Sequence, residues 1–305
     1  MKSNYLRCAG RELHYVEWGA PQAEVVIAWH GLARTGRDMD EIARHLSGER
    51  RAAPSSTAPP RGGGRREAEA LGAPDKRWRV ICPDTVGRGL SQWSPLPAQE
   101  YCLDFYVRQA VDLLQQLGIE RCHWLGTSMG GAIGTVAAAG PLRGCIERLV
   151  LNDNGPSLAP KAIERIRSYA GAPAAFDTVT ELEAYFRSVY APYGWLSDEQ
   201  WRRLTETSVR RLPDGRVTPH YDPAMAQQFI HRPDDYERWA EWDSLELPVL
   251  CLRGEHSDLL LRETTEQMRL RGPRAAVVEI ADCGHAPALN TVAQIGLVER
   301  FLAGY

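Results

Sequence analysis

The sequence predicts an α/β chain: a doubly wound, mostly parallel sheet with a helical cap inserted between two core strands. Three observations carry this expectation. Short apolar, β-branched runs recur at residues 25–29, 79–83, 122–125, 148–152, 248–252 and 276–280. Continuous runs of this length suit a parallel sheet covered on both faces. Helix-period stretches fall between them, and such alternation is the pattern of a doubly wound sheet. Residues 155–245 interrupt the alternation, lack buried-strand runs and read as several short helices.

Taken in order, residues 11–17 (RELHYVE) alternate with period two, as an antiparallel edge strand does. After the run VVIAW at 25–29, residues 48–77 break the pattern with clustered Gly and Pro and seven Lys or Arg side chains. That composition buries too little apolar surface to order itself, so the segment reads as a mobile surface loop. A solvated insertion is the favoured reading of it, and a basic site for an anionic partner the second. Residues 103–117 place Leu103, Tyr106, Val107, Ala110, Val111, Leu114 and Leu117 on one helical stripe, and Gly118 stops it. The last helix, residues 291–302, aligns Ile295, Val298 and Leu302. Residues 155–245 hold thirteen of the 25 aromatic residues, Tyr190 and Trp195 among them, and read as a cap over a site. The division is therefore a core of residues 1–154 and 246–305 and a helical cap at 155–245.

Composition narrows the function. Apolar residues make 44% and charged residues 25% of 305, with a net charge of −3. These are ordinary globular values, and no basic stripe marks a nucleic-acid partner. No apolar run approaches the roughly 18–20 residues that span a bilayer. The first residues lack the apolar core of a signal peptide. No membrane partner and a cytoplasmic location are the expectations. The seven cysteines form no CxxC pair or Cys/His cluster, which predicts reduced, buried thiols and no metal site. Oligomeric state is not readable from these features.

The chemistry lies in Gly126-Thr127-Ser128-Met129-Gly130, a G-x-S-x-G between an apolar strand and a small-residue helix. That strand–turn–helix context is what a nucleophile elbow requires. A serine hydroxyl needs a base. Among eight histidines, His285 sits in Asp282-Cys-Gly-His285, on the loop after the last core strand and so at the same sheet edge. The third group should follow an earlier strand. Asp258, in Arg253-Gly-Glu-His-Ser-Asp258, is the first choice from chain order and strand position together, with Glu255 and Asp153 as alternatives. The backbone N–H groups of Met129 and Leu32 are the expected oxyanion donors. His30 is read as a support for the Leu32 loop.

The succession His30-Gly31, Pro83-Asp84, Gly87-Arg-Gly-Leu-Ser91, Gly126-Thr-Ser-Met-Gly-Gly131, Arg253-Gly-x-x-Ser-Asp258 and Gly284-His285 resembles the α/β-hydrolase fold family. It is similar to its capped bacterial serine hydrolase branch, which contains esterases, perhydrolases and C–C bond hydrolases. The resemblance covers the chain apart from residues 48–77. It implies a serine hydrolase without cofactor, with Ser128 as nucleophile, Asp258 as acid and His285 as base. The related haloalkane dehalogenases and epoxide hydrolases place an aspartate at the elbow, so Ser128 argues against both.

The sequence thus predicts a carboxylesterase-like enzyme working through an acyl-enzyme, with no metal or organic cofactor. Its substrate is expected to be a small apolar or aromatic ester, with Tyr190 and Trp195 as candidate pocket residues. A C–C bond hydrolase, a perhydrolase or acyltransferase, and a non-catalytic small-molecule receptor are the competing readings.

Overall fold

A computed structural model of the protein describes residues 1–49 and 76–305. The predicted loop at 48–77 lies almost wholly outside the described residues. Eight strands form one sheet: β1 (Lys2–Cys8), β2 (Arg11–Trp18), β3 (Glu24–Trp29), β4 (Trp78–Pro83), β5 (Cys122–Thr127), β6 (Ile146–Asn152), β9 (Val249–Gly254) and β10 (Ala276–Ile280). Their order is β1-β2-β4-β3-β5-β6-β9-β10. β1 and β2 are antiparallel, β2 runs antiparallel to β4, and every later pairing is parallel. A short hairpin, β7 (Val209–Arg211) with β8 (Val217–Pro219), stands apart from this sheet. β1 was not anticipated. It is an edge strand whose Tyr5 is half exposed, and so it shows no apolar run.

The helices are α1 (Asp40–Leu46), α2 (Pro97–Glu100), α3 (Leu103–Gln116), α4 (Met129–Ala139), α5 (Pro160–Ala170), α6 (Val179–Val189), α7 (Asp198–Glu206), α8 (Gln228–His231), α9 (Trp239–Asp243), α10 (Arg262–Leu270) and α11 (Val292–Ala303). Successive strand residues point to opposite faces, and both faces are apolar here. Val26, Ala28, Val80, Leu125, Val150 and Leu252 pack with Ile42 and Leu46 of α1 and with Ile295, Val298 and Leu302 of α11. Ile27, Trp29, Ile81, Trp124, Leu149 and Leu151 pack with Leu103, Tyr106 and Leu113 of α3 and Ile133 of α4. That two-sided burial explains why the strands read as continuous apolar runs. The seven cysteines are all unpaired thiols, six of them buried. Among the described residues no helix is long and apolar enough to cross a membrane.

Topology fixes where chemistry can occur. In an open parallel sheet, sites form beyond the carboxyl ends of the strands. β3, β5, β6 and β9 lie side by side, so the residues after Trp29, Thr127, Asn152 and Gly254 meet at one edge. Residues 155–245, between β6 and β9, carry α5 to α9 and the hairpin. They are tied to that edge by backbone hydrogen bonds: Gly284 N to Pro192 O at 2.7 Å, Ala288 N to Tyr193 O at 3.1 Å and Asp222 N to Gly87 O at 2.7 Å.

Candidate active site

Ser128 follows β5 and opens α4 with φ +51° and ψ −116°. An L-residue there is strained, and such strain is characteristic of functional turns. The flanking glycines permit it. A Cβ at Gly126 would collide with the carbonyl of Gly130, and one at Gly130 with that of Trp29. The Trp124 indole N–H donates to Gly130 O at 2.9 Å, pinning the start of α4 to the sheet.

His285 Nε2 lies 3.0 Å from Ser128 Oγ, and Nδ1 lies 2.6 Å from Asp153 Oδ2. Asp153 is fully buried. Its carboxylate also accepts from Gly254 N at 2.8 Å and from Ser257 Oγ at 2.6 Å. The structure therefore brings Ser128 and His285 together as expected, and it corrects the expected third member. Asp258 does not face His285; it is half exposed and ion-paired with Arg165 of α5. The reason is positional. Asp153 stands directly after β6, the neighbour of β5, whereas Asp258 lies four residues beyond β9. Gly254 and Ser257 of that later loop serve the site by holding the Asp153 carboxylate. Asn152 secures the histidine loop, its Nδ2 donating to Pro287 O at 2.9 Å.

The Leu32 and Met129 N–H groups donate to no other group among the described residues. Two side chains set the Leu32 turn. His30, fully buried, accepts Thr85 N–H at Nε2 (2.9 Å), so its proton sits on Nδ1 and is donated to Gly31 O at 2.6 Å. That carbonyl belongs to the same peptide group as the Leu32 N–H, which is thereby oriented and polarised. Arg88, also fully buried, donates Nε to Leu32 O at 2.9 Å and Nη1 to Val86 O at 2.8 Å and to the Tyr106 hydroxyl at 3.0 Å. No carboxylate of the described residues lies within ion-pair distance of Arg88. Arg88, Ser257 and Asn152 were not singled out by the sequence as supports. The one signal for Arg88 was a cation between two glycines.

Burial lowers the His30 imidazole from 6.5 to about 4, only partly offset by the Asp84 carboxylate and the Gly31 carbonyl. The unfolded chain then takes up a proton below about pH 6.5 that the folded chain refuses until about pH 4. Stability is complete above the higher value and is lost as pH falls through this window. The loss amounts to about 3 kcal/mol. Urea unfolding from about pH 7 to 4 should show this extra loss in the wild type relative to His30→Gln, which has nothing to titrate there.

A cavity of about 470 Å³ opens at Ser128, bounded by Leu32, Arg34, Tyr190, Tyr221 and His285. A narrow apolar recess of about 20 Å³ adjoins it, between Leu32, Ser128, Ile163, Phe229 and Leu259. Of the two candidate pocket residues, Tyr190 lines the cavity, whereas Trp195 is 64% exposed and lies outside it. Tyr169, Tyr185, Tyr193 and Tyr221 take the place expected of Trp195.

A sequence profile described as the alpha/beta hydrolase fold matches residues 61–290. This chain belongs to the α/β-hydrolase fold family. Within the family it is 38% identical to the 3-hydroxybutyrate-oligomer hydrolase of Cupriavidus necator over 300 residues, covering 95% of this chain and 92% of that one. It is 28% identical over 240 residues to the 2-hydroxymuconate semialdehyde hydrolase of Pseudomonas sp. (strain CF600), covering 75% of this chain and 77% of that one. Among solved structures, an α/β-hydrolase from Novosphingobium aromaticivorans superposes with TM-score 0.79 at 30% identity, covering 99% of this chain and 98% of the other. The eight-stranded, mostly parallel sheet of this α/β-hydrolase with its flanking helices is the shared architecture.

Proposed function

We propose that this α/β-hydrolase cleaves a short ester through Ser128, His285 and Asp153 and an acyl-enzyme. The observation that carries the reading is the continuous hydrogen-bonded line from Ser128 Oγ through His285 to the buried Asp153. Ser128 attacks the acyl carbonyl while His285 Nε2 takes its proton, and the carbonyl oxygen moves toward the N–H groups of Leu32 and Met129. His285 then returns the proton to the leaving alcohol. A water deprotonated by the same nitrogen releases the acid and restores Ser128. Asp153 keeps the Nδ1 proton in place and balances the imidazolium.

Residues 155–245 act as the cap in this reading. The small apolar recess beside Ser128, walled by Leu32, Ile163, Phe229 and Leu259, gives a short acyl chain an apolar seat, which favours short-chain substrates. The wider cavity is lined by tyrosines, and burial pushes the Tyr169 phenol up to about 12 and raises those of Tyr193 and Tyr221 as well. They remain protonated donors at neutral pH, suited to ester and hydroxyl oxygens along a polar chain rather than to a purely aromatic substrate. A short hydroxyacid oligoester, the substrate in the name of the Cupriavidus necator relative, has these properties.

Labelling with a fluorophosphonate checks the nucleophile. The adduct mass should appear on the peptide containing Ser128 in the wild type and be absent from Ser128→Ala. Labelling elsewhere, or none, removes the reading. In the same preparation, p-nitrophenyl acetate and butyrate should be turned over faster than the octanoate.

A further inference from the structure

Arg34 carries a nitrogen that the fold does not use. It follows the oxyanion turn and is 3% exposed. Its Nε and Nη2 donate to the two Asp38 oxygens at 2.7 Å, and Nη2 also donates to Ser208 Oγ at 2.9 Å. Tyr190 stacks on the guanidinium at 4.6 Å and Phe186 lies 5.5 Å away. Nη1 is buried and has no partner among the described residues. Fixing these loops together needs only the Nε/Nη2 edge. An orphaned donor on a buried cation is costly to keep, and an acceptor brought to it by a ligand would remove that cost.

The position is next to the chemistry. Arg34 bounds the same cavity as Ser128. A Cβ placed on Gly31 would lie 3.6 Å from Ser128 Cβ and 3.9 Å from Arg34 Cγ, so the arginine stem starts beside the nucleophile. The other charged pair at the cavity, Arg165 with Asp258, is mutually satisfied and half exposed. Asp38 neutralises Arg34 formally, which leaves a charge-assisted hydrogen bond in a nearly dry setting rather than a long-range field. Resting on the ester-hydrolase reading above, we propose that Arg34 Nη1 binds a free carboxylate on the substrate. The preferred substrate is then an acid-terminated ester, such as the end unit of a short hydroxyacid oligomer.

The test compares the linear dimer of 3-hydroxybutyrate as free acid with its methyl ester, scoring cleavage of the internal ester by chromatography. The full-length wild type should show a KM roughly ten- to hundredfold lower for the free acid. Arg34→Gln should raise the free-acid KM to that of the methyl ester. A wild-type measurement guards against a variant that does not fold: butyrate should inhibit p-nitrophenyl acetate hydrolysis at least tenfold more strongly than butyramide. Equal KM values for the two dimers, or equal inhibition, overturn the carboxylate site and leave the ester hydrolase standing. A preference that survives in Arg34→Gln overturns the assignment to Arg34. Cleavage of p-nitrophenyl esters but of neither dimer overturns the substrate class, and cleavage of nothing overturns the underlying reading.

Discussion

Replacing Asp153 by Asn should lower kcat about ten-thousandfold, measured on p-nitrophenyl butyrate with circular dichroism as the check on folding. The carboxylate accepts from three donors, Gly254 N–H, Ser257 O–H and the Nδ1 side of His285. An asparagine has one acceptor oxygen. With Gly254 and Ser257 competing for it, the amide NH2 turns to Nδ1 and selects the tautomer protonated at Nε2. That tautomer cannot accept the Ser128 proton. Asp258→Asn should cost less than about tenfold, since an exposed ion pair of this kind contributes up to about 1 kcal/mol. A larger loss in Asp258→Asn than in Asp153→Asn would reverse the assignment of the acid.

Arg88→Met should lower kcat about a hundredfold with little change in KM. Methionine keeps much of the volume but leaves the carbonyls of Leu32 and Val86 without their buried donor. Each unsatisfied carbonyl costs about 1–3 kcal/mol, and the turn relieves that cost by rotating the Leu32–Ala33 peptide. The neighbouring Leu32 N–H then swings off the oxyanion position. A boronic acid that forms a tetrahedral serine adduct should bind about a hundredfold more weakly to Arg88→Met. Binding of an uncharged amide that stays planar should scarcely change. Equal weakening of both ligands would mean a collapsed pocket rather than a displaced donor.

Much of this was legible in the sequence because it rests on local pattern. Buried parallel strands announce themselves as apolar runs, and Gly126 to Gly130 encode a turn that only small neighbours allow. His285 was legible because one histidine alone follows the final strand. The acid was not, because chain order is satisfied equally by Asp153 and Asp258. The choice depends on which strand lies beside β5, a property of sheet order and not of spacing. Arg34 and Arg88 were harder still. Nothing in a one-dimensional string distinguishes a solvated arginine from a buried one, and both are held by segments well removed in the chain, Arg34 by Ser208 and Arg88 by Leu32. Trp195 shows the opposite failure: aromatic content predicted a lining residue, and the turn after Tyr193 leaves it exposed.

The bonds from Gly284 N to Pro192 O and from Ala288 N to Tyr193 O clasp the histidine loop on both sides of His285. The turn at Ala191–Tyr193, which borders the cavity, and the loop that seats His285 are therefore one mechanical piece. Lifting the turn at Ala191–Tyr193 to admit a bulky ligand breaks both clasps at once. In the proposed mechanism, moving that turn and seating His285 are therefore coupled events, and substrate size bears on the base as well as on the pocket.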